Sequence, residues 1–474
     1  MENSSPKIVT FLCTWCSYAG ADLAGTGRNQ YPPNIRVIRV PCSGRINPMY
    51  IIKALLEDAD GVMVSGCHPG DCHYLVGNYF ARRRFVVLKK LLTTAGFDAN
   101  RINFTWVSAS EGARFADVVK EVTEKVVGCL GYSKSGKLGD GCSKEPVIAG
   151  SIRYPLDNAD FTGLRLGGRN DEFEHDLISV CRKLLDDGTV SSVIGYQNGG
   201  DMGLSVPCII DSPDNVDKLV WNSRCVPNLS GYLLQRQGKA AVVAKPCDAR
   251  AVVSLIKENQ LKREDVYIIG LACDGMADDK SNLLPACSDC TVRIPPLYDV
   301  LVGDDKSGKL GDEARQGDGS SVLSEATCDN VFKSVDKTDE PSPCLADNLL
   351  DKTFERFVDE MNKCILCYSC RQSCYGCYCK TCFMERGEPD WQTASPDIGA
   401  KMLYHLGRTT HLSGRCVECG ACENACASGV NIRYLIQAVT EFIKDTYNYE
   451  AGIDLETEPA MLTYKVDDEE IGFL

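Results

Sequence analysis

A chain of 474 residues, 44% hydrophobic and 24% charged, has the make-up of an ordinary soluble globular protein with room for about three domains. Its net charge of −14 argues against nucleic acid as a partner, because that requires a basic footprint, and no apolar run reaches the roughly 18 residues of a membrane span. The 27 cysteines are an odd total in a long chain, many of them at ligand spacing, which favours metal in a reducing cytoplasm over disulfides. The first five residues are polar and the apolar stretch after them is too short for a secretory signal.

Residues 1–128 alternate strand and helix. Strands are expected at 7–13, 35–41, 61–65 and 102–107, and helical patterns at 48–57, 73–96 and 111–125. That order predicts an α/β domain with a parallel sheet covered on both faces. Cys13 and Cys16 come at the end of the first strand, Cys42 after the second, and Cys67 and Cys72 after the third. Loops at the carboxyl ends of parallel strands gather on one edge, the edge that binds ligands, so five cysteines distant in sequence converge there. His68 and His73 flank the last pair, either as cluster neighbours donating hydrogen bonds or as ligands. Arg82, Arg83 and Arg84, with Lys89 and Lys90, form a basic stripe readable as a docking patch or as a solvated helix face.

The segments FLCTWCSYAGAD (11–22), RVPCSGRINP (39–48) and GCHPGDCHYLVGN (66–78) resemble the delta subunit of methyl-viologen-reducing hydrogenase (MvhD), and the likeness continues through RRRFVVLKKLL and SASEGARF. The resemblance implies one 2Fe-2S cluster, with Cys13, Cys16, Cys42, Cys67 and Cys72 as five candidates for four ligand places. It also implies delivery of electrons into the flavin subunit of heterodisulfide reductase.

Residues 129–150 read as a Gly/Ser/Lys linker whose piece KSGKLGD recurs at 306–312, opening a polar insertion that runs to 350. Neither copy completes a phosphate-binding loop. Cys142, Cys328 and Cys344 fall in these segments and have no expected role.

Residues 151–303 form a second α/β unit. Strands are expected at 190–197, 240–244 and 266–271, the second running out into Lys245-Pro246-Cys247-Asp248, with helices at 216–234 and from there to 258. Cys247 and Cys273 close neighbouring strands, and Cys287 and Cys290 form a Cys-x2-Cys that can fold over them. Four such thiolates suit a 4Fe-4S cluster or a structural zinc, and a chain otherwise committed to iron–sulfur chemistry favours iron. Lys245 is either a charge that tunes this site or a surface lysine, and the GGDMG loop (Gly199, Gly200, Gly203) is either a turn or an approach to a phosphate. The segments VWNSRCVPNLSGYL (220–233), KPCDARAVVSLIKENQLKREDVYIIGLACDGM (245–276) and CSDCTVRIPPLYDVLVG (287–303) resemble the beta subunits of deazaflavin-coenzyme hydrogenases and dehydrogenases. That resemblance implies FAD as well as one 4Fe-4S cluster, although no flavin pocket is evident from the residues.

Residues 351–474 carry two copies of Cys-x2-Cys-x2-Cys-x3-Cys: Cys364, Cys367, Cys370, Cys374 and Cys416, Cys419, Cys422, Cys426. This is the run that holds 4Fe-4S clusters in bacterial ferredoxins, where the fourth cysteine serves the other cluster. Cys426 is therefore expected with Cys364, Cys367 and Cys370, and Cys374 with Cys416, Cys419 and Cys422, in a small ferredoxin-like domain with helices. Tyr375 stands where ferredoxins usually have proline. Cys377, Cys379 and Cys382 are surplus, and join Cys225 or Cys208 in a further cluster, bind a structural metal or remain thiols.

No nucleophile–base pair and only five histidines argue against hydrolysis or group transfer. The expected function is an iron–sulfur electron-transfer adaptor with one 2Fe-2S and at least three 4Fe-4S clusters. By resemblance it links a hydrogenase, formate dehydrogenase or other oxidoreductase subunit to a heterodisulfide-reductase-like flavin subunit in an electron-bifurcating complex. The alternative is a flavin-containing dehydrogenase subunit that oxidises a deazaflavin or nicotinamide cofactor. A metal sensor or zinc scaffold is the third reading, opposed by the tandem ferredoxin runs.

Overall fold

The structure, a computed structural model, describes residues 6–132, 171–200, 205–278, 280–302, 343–386 and 397–469. Most of the linker and the polar insertion, Gly203, Cys142 and Cys328 lie outside the described residues, as does the side chain of Cys344. Among the described residues no helix is long and apolar enough to cross a membrane.

The N-terminal part runs β1 (Ile8–Cys13), α1 (Ser17–Thr26), β2 (Ile35–Val40), α2 (Pro48–Leu56), β3 (Gly61–Gly66), α3 (Gly77–Thr94), β4 (Ile102–Trp106) and α4 (Gly112–Tyr132). All pairings are parallel and the strand order is β2-β1-β3-β4. Successive side chains of a strand point to opposite faces. Val62 and Val64 accordingly join the core under α2 and α3, whereas Met63 joins the one under α1 and α4. The order reverses between β1 and β3, and such a switch point opens a crevice at the strands' carboxyl ends.

The middle part comprises α5 (Asp171–Asp186), β5 (Ser192–Asn198), β6 (Ser205–Ile210), α6 (Ser230–Leu233), β7 (Ala240–Ala244), α7 (Pro246–Lys257), β8 (Val266–Leu271), α8 (Pro285–Ser288) and β9 (Val300–Val302). The sheet order is β6-β5-β7-β8-β9, with only β6 antiparallel. Its core is built from Tyr196, Val242 and Ile268 on the strands, Val252 on α7 and Leu177 on α5.

The last part is helical: α9 (Pro343–Lys363), α10 (Ser369–Gln372), α11 (Ile398–Leu412), α12 (Ala421–Asn424) and α13 (Arg433–Tyr447). Phe357, Leu406 and Leu435 share one continuous core with Ile51 and Phe85, so these helices seat on the α2–α3 face of the first sheet. Residues 448–469 then run back over both α/β parts. Arg250 donates to Ala451 O at 2.9 and 3.0 Å, Lys257 Nζ donates to Asp454 O at 3.1 Å, and Tyr464 stacks on Tyr79 with ring centroids 5.0 Å apart.

The mixed α/β architecture is the expected one, and six local expectations are corrected. Residues 216–234 are not one helix: a 3-10 turn (Pro213–Lys218) and the single turn α6 bracket irregular chain. Pro227 lacks an N–H and disfavours helix in the residue before it. The helix expected from residue 73 starts at Gly77, after a turn in which Leu75 adopts φ 68°. At the linker, α4 persists to Tyr132, and at the polar insertion α9 begins at Pro343. Arg82 and Arg83 are neither a docking stripe nor solvated, being 3% exposed beneath the returning C-terminal segment. Arg83 clasps Asp468 at 2.5 and 2.9 Å, and Arg82 donates to Lys465 O at 2.6 Å. Lys245 is no surface lysine either: it is 1% exposed.

Candidate metal centres

The five N-terminal cysteines meet at the switch-point crevice. Cys13 ends β1, Cys42 follows β2, and Cys67 and Cys72 follow β3, so parallel pairing alone brings them to one edge. Cys16 Sγ lies 2.6 Å from Cys67 Sγ, Cys13 Sγ lies 3.8 Å from Cys67 Sγ, and Cys42 Sγ lies 3.7 Å from Cys72 Sγ. The sulfurs of Cys13, Cys16 and Cys67 all fall within 4.8 Å of one another. Gly77 is required here: a Cβ on it would stand 2.6 Å from Cys42 Sγ and 3.3 Å from Cys72 Sγ. Hydrogen bonds from Cys16 and Cys67 hold the Cys13 thiol far below its ordinary value. His68 and His73 find other partners. His68 Nε2 is 2.7 Å from Glu111 Oε2, and His73 stacks on Trp15 with centroids 3.8 Å apart.

In the middle part Cys247 opens α7, Cys273 follows β8, and Cys287 and Cys290 lie in and just after α8. All four line one cavity of about 220 Å³. Val417 and Cys419 of the second ferredoxin-like run close its wall, so this site adjoins the C-terminal helices. Burial pushes the Cys247, Cys273 and Cys287 thiols upward. Beneath the site Lys245 Nζ donates to Cys225 O at 2.9 Å and Pro227 O at 3.0 Å. It also contacts the Tyr196 hydroxyl and pairs with Asp248 at 2.9 Å. Burial opposes its charge, and Asp248 and Tyr196 more than offset that, so the ammonium persists.

The two tandem runs fold alike. Leu366 and Glu418 hold φ 52° and 56°, and Tyr368 and Gly420 hold φ 60° and 69°, at matching places two and four residues after the first cysteine of each run. Left-handed conformations cost about 1 kcal/mol or more for residues other than glycine. Here they turn the chain so that Leu366 N points at Cys364 Sγ and Glu418 N at Cys416 Sγ, both at 3.4 Å. Such alternation of backbone conformation makes a nest of N–H groups, a concavity characteristic of iron–sulfur sites. Cys364, Cys367, Cys370 and Cys426 line one pocket. Cys374 neighbours Cys416, Cys419 and Cys422 instead, the crossed arrangement expected from the spacing. In place of the ferredoxin proline, Tyr375 is buried and its hydroxyl donates to Arg415 O.

Helix α11 stands against both groups. His405 Nε2 is 3.2 Å from Cys364 Sγ, Tyr404 Oη is 3.3 Å from Cys370 Sγ, and Arg408 donates to Cys370 O at 3.0 Å. Burial, with Arg408 nearby, pushes the His405 imidazole down to about 3, so it is neutral. The Arg408 guanidinium also reaches the Cys374, Cys377 and Cys422 thiols, yet its Nε is buried without a partner. A cluster held by these thiols would bring inorganic sulfide, which can accept such a hydrogen bond. Burial raises the Cys416 thiol to about 12, a poor free thiolate but a good ligand once a cation removes its proton. The donor set therefore fits iron–sulfur clusters: sulfur-rich, shielded except at the exposed Cys367, and furnished with N–H groups. Sequence reasoning missed α11 altogether, because its donors lie in the long stretch between the runs and only the fold turns them inward.

Among the described residues the surplus cysteines form no close sulfur group with Cys208 or Cys225. Cys377 contacts Cys374, and Cys379 shares with both of them a cavity of about 1290 Å³ between the middle part and the helices. Cys382 begins a 3-10 turn, Phe383–Glu385. Cys225 is buried at the Lys245 cradle, with its thiol 3.4 Å from Asn222 N, and Cys208 sits on β6.

Residues 8–129 match the family model described as methyl-viologen-reducing hydrogenase, delta subunit. An iron–sulfur subunit of the F420-non-reducing hydrogenase vhc of Methanococcus voltae is 49% identical over 142 residues, 29% of this chain and 99% of that protein. One subunit of the ferredoxin:CoB-CoM heterodisulfide reductase of Methanosarcina mazei is 46% identical over 149 residues, which are 31% of this chain but only 18% of that protein. The beta subunit of an F420-dependent formate dehydrogenase of Methanocaldococcus jannaschii is 24% identical over 381 residues, 65% of this chain and 98% of that protein. Through its N-terminal residues the chain belongs to the family of the methyl-viologen-reducing hydrogenase delta subunit.

Proposed function

We propose that the protein is an iron–sulfur relay subunit that carries electrons between an oxidoreductase module, such as a hydrogenase or a formate dehydrogenase, and a heterodisulfide-reductase-like flavin subunit that bifurcates them. The proposed ligands are drawn from Cys13, Cys16, Cys42, Cys67 and Cys72 for a 2Fe-2S cluster. Cys247, Cys273, Cys287 and Cys290 would hold one 4Fe-4S cluster, and the two crossed ferredoxin sets two more. When bound, such clusters supply one-electron storage without bond making. The chain's part is to hold the thiolates, exclude water and keep the sites close.

The observation that carries this reading is the shared wall of the middle cavity, where Cys419 of the ferredoxin-like run stands among Cys247, Cys273, Cys287 and Cys290. A protein built to use each site alone has no need to interlock them. The names of its relatives support the same partners, since they are subunits of an F420-non-reducing hydrogenase, a heterodisulfide reductase and a formate dehydrogenase. The test is iron, acid-labile sulfide, zinc and flavin per chain in protein purified without oxygen. About 14 irons, matching sulfide and no flavin are expected for one 2Fe-2S and three 4Fe-4S clusters. About four irons fewer, or zinc in place of iron, would remove a site from the relay.

A second reading, a dehydrogenase component with its own flavin, draws on the similarity to the formate dehydrogenase beta subunit and on the cavity of about 1290 Å³ beside Cys374. One flavin per chain would favour it.

A further inference from the structure

Resting on the relay reading, we infer that α11 makes the two ferredoxin-like sites electrochemically different, with Tyr404 and His405 acting as potential-setting residues for the site of Cys364, Cys367, Cys370 and Cys426. Two side chains adjacent on one helix reach two different sulfurs of the same group, at 3.3 Å for Tyr404 on Cys370 and 3.2 Å for His405 on Cys364. Tyr404 is 1% exposed, His405 3%, and both cysteines 8%. Water therefore competes little for these sulfurs. Toward a thiolate the phenol and the imidazole N–H can only donate.

A donor withdraws electron density from sulfur and stabilises the state with one more electron, so each bond raises the potential of the site it touches. Buried in low dielectric, such bonds act more strongly than they would in water. The other site is served differently. Its Cys374 and Cys422 face the Arg408 guanidinium, one turn further along the helix from Tyr404. One helix thus presents two sulfur-directed donors to the first site alone, while its cation lies beside thiols of the other site and reaches the first only through Cys370 O at 3.0 Å. A helix that merely filled space between the runs would need none of these three polar groups, each of which is costly to bury without a partner.

The experiment is a mediated redox titration of the full chain, followed by electron paramagnetic resonance, for the wild type, Tyr404→Phe, His405→Leu and His405→Gln. In Tyr404→Phe and His405→Leu one 4Fe-4S signal should titrate lower. The ratio of reduced to oxidised sites at fixed ambient potential should fall three- to tenfold, tenfold being about 59 mV for one electron. The other 4Fe-4S signal should stay in place. His405→Gln keeps an N–H donor and should recover much of the shift. Unmoved midpoints, or equal movement of both signals, with clusters intact, would overturn the inference and leave the relay reading standing. A wild-type chain without 4Fe-4S signals would overturn both. Tyr404→Phe removes one oxygen and no packing volume, so it decides the question even if the His405→Leu chain fails to assemble.

Discussion

Replacing Lys245 by methionine tests whether the middle site rests on a buried charge network. Lys245 is 1% exposed and Asp248 0%. The ammonium donates to two carbonyls, at 2.9 and 3.0 Å, touches the Tyr196 hydroxyl, and pairs with Asp248 at 2.9 Å. Methionine matches the length of the side chain but supplies none of these donors. The Asp248 carboxylate would keep only Leu229 N at 2.9 Å and Lys245 N at 3.0 Å. Removing one partner of a buried ion pair costs about 3–5 kcal/mol. At about 1.4 kcal/mol per tenfold, the opening constant of the middle part should rise between roughly a hundred- and a few thousandfold. Domain stabilities of about 5–15 kcal/mol leave the variant folded but weakened. The readout is native-state hydrogen exchange of the β5 and β7 amides in the full chain, since core strands report the largest openings. Because the lysine is held above its ordinary value, its contribution is complete below about pH 10 and fades only as pH climbs through the folded value. The increase in exchange should therefore be the same at pH 6 and pH 8. A rise of less than about threefold would refute the account. Lys245→Met combined with Asp248→Asn should recover part of the loss, because the orphaned charge is gone.

Three further outcomes are expected. Gly77→Ala would ordinarily favour a helix by about 1 kcal/mol, yet here the added methyl collides with Cys42 Sγ. The variant should lose the 2Fe-2S spectrum and about two irons per chain, and a chain with both intact would exclude Cys42 from the site. Cys419→Ala should abolish one 4Fe-4S signal while the 2Fe-2S spectrum of the N-terminal part survives, and joint loss would show that the sites do not assemble separately. The docking of residues 459–468 should depend on acid. Burial would raise the Asp468 carboxyl, but hydrogen bonds from Arg83 and from Lys465 N–H prevail and hold it below the carboxylate range. A depressed carboxyl stabilises fully above its unfolded value of about 3.9, and the contribution disappears as pH falls through the lower folded value. Exchange of residues 459–468, corrected for intrinsic rates, should be flat from pH 5 to 8 and rise below about pH 4. A rise already at pH 6 would mean that another group holds the segment.

How far the sequence could be read depended on the range of the interactions involved. Strand ends and cysteine spacing are local, so the convergence of Cys13, Cys42 and Cys67 on one sheet edge follows once the strands are assigned and parallel pairing is assumed. Cys247 and Cys273 follow from the same rule. The crossed grouping of Cys374 and Cys426 was legible for a different reason, since the ferredoxin run itself sends its fourth cysteine to the other site. Residues 216–234 misled because apolar content carried the helical reading past Pro227, whose missing N–H should have ended it. The arginines misled because charge was taken as a sign of exposure. Arg83 is buried by a segment nearly four hundred residues away, and no local pattern encodes that partner. His405 and Tyr404 failed to register because they carry no ligand spacing of their own. They matter only because α11 packs into the core that the first sheet shares with α9 and α13, which presses one face of the helix against the thiols. The proposed ligands of this chain are thus written in short motifs, while the groups expected to tune them are set by long-range packing. The same thiolate runs could serve at other potentials if only the helix against them changed.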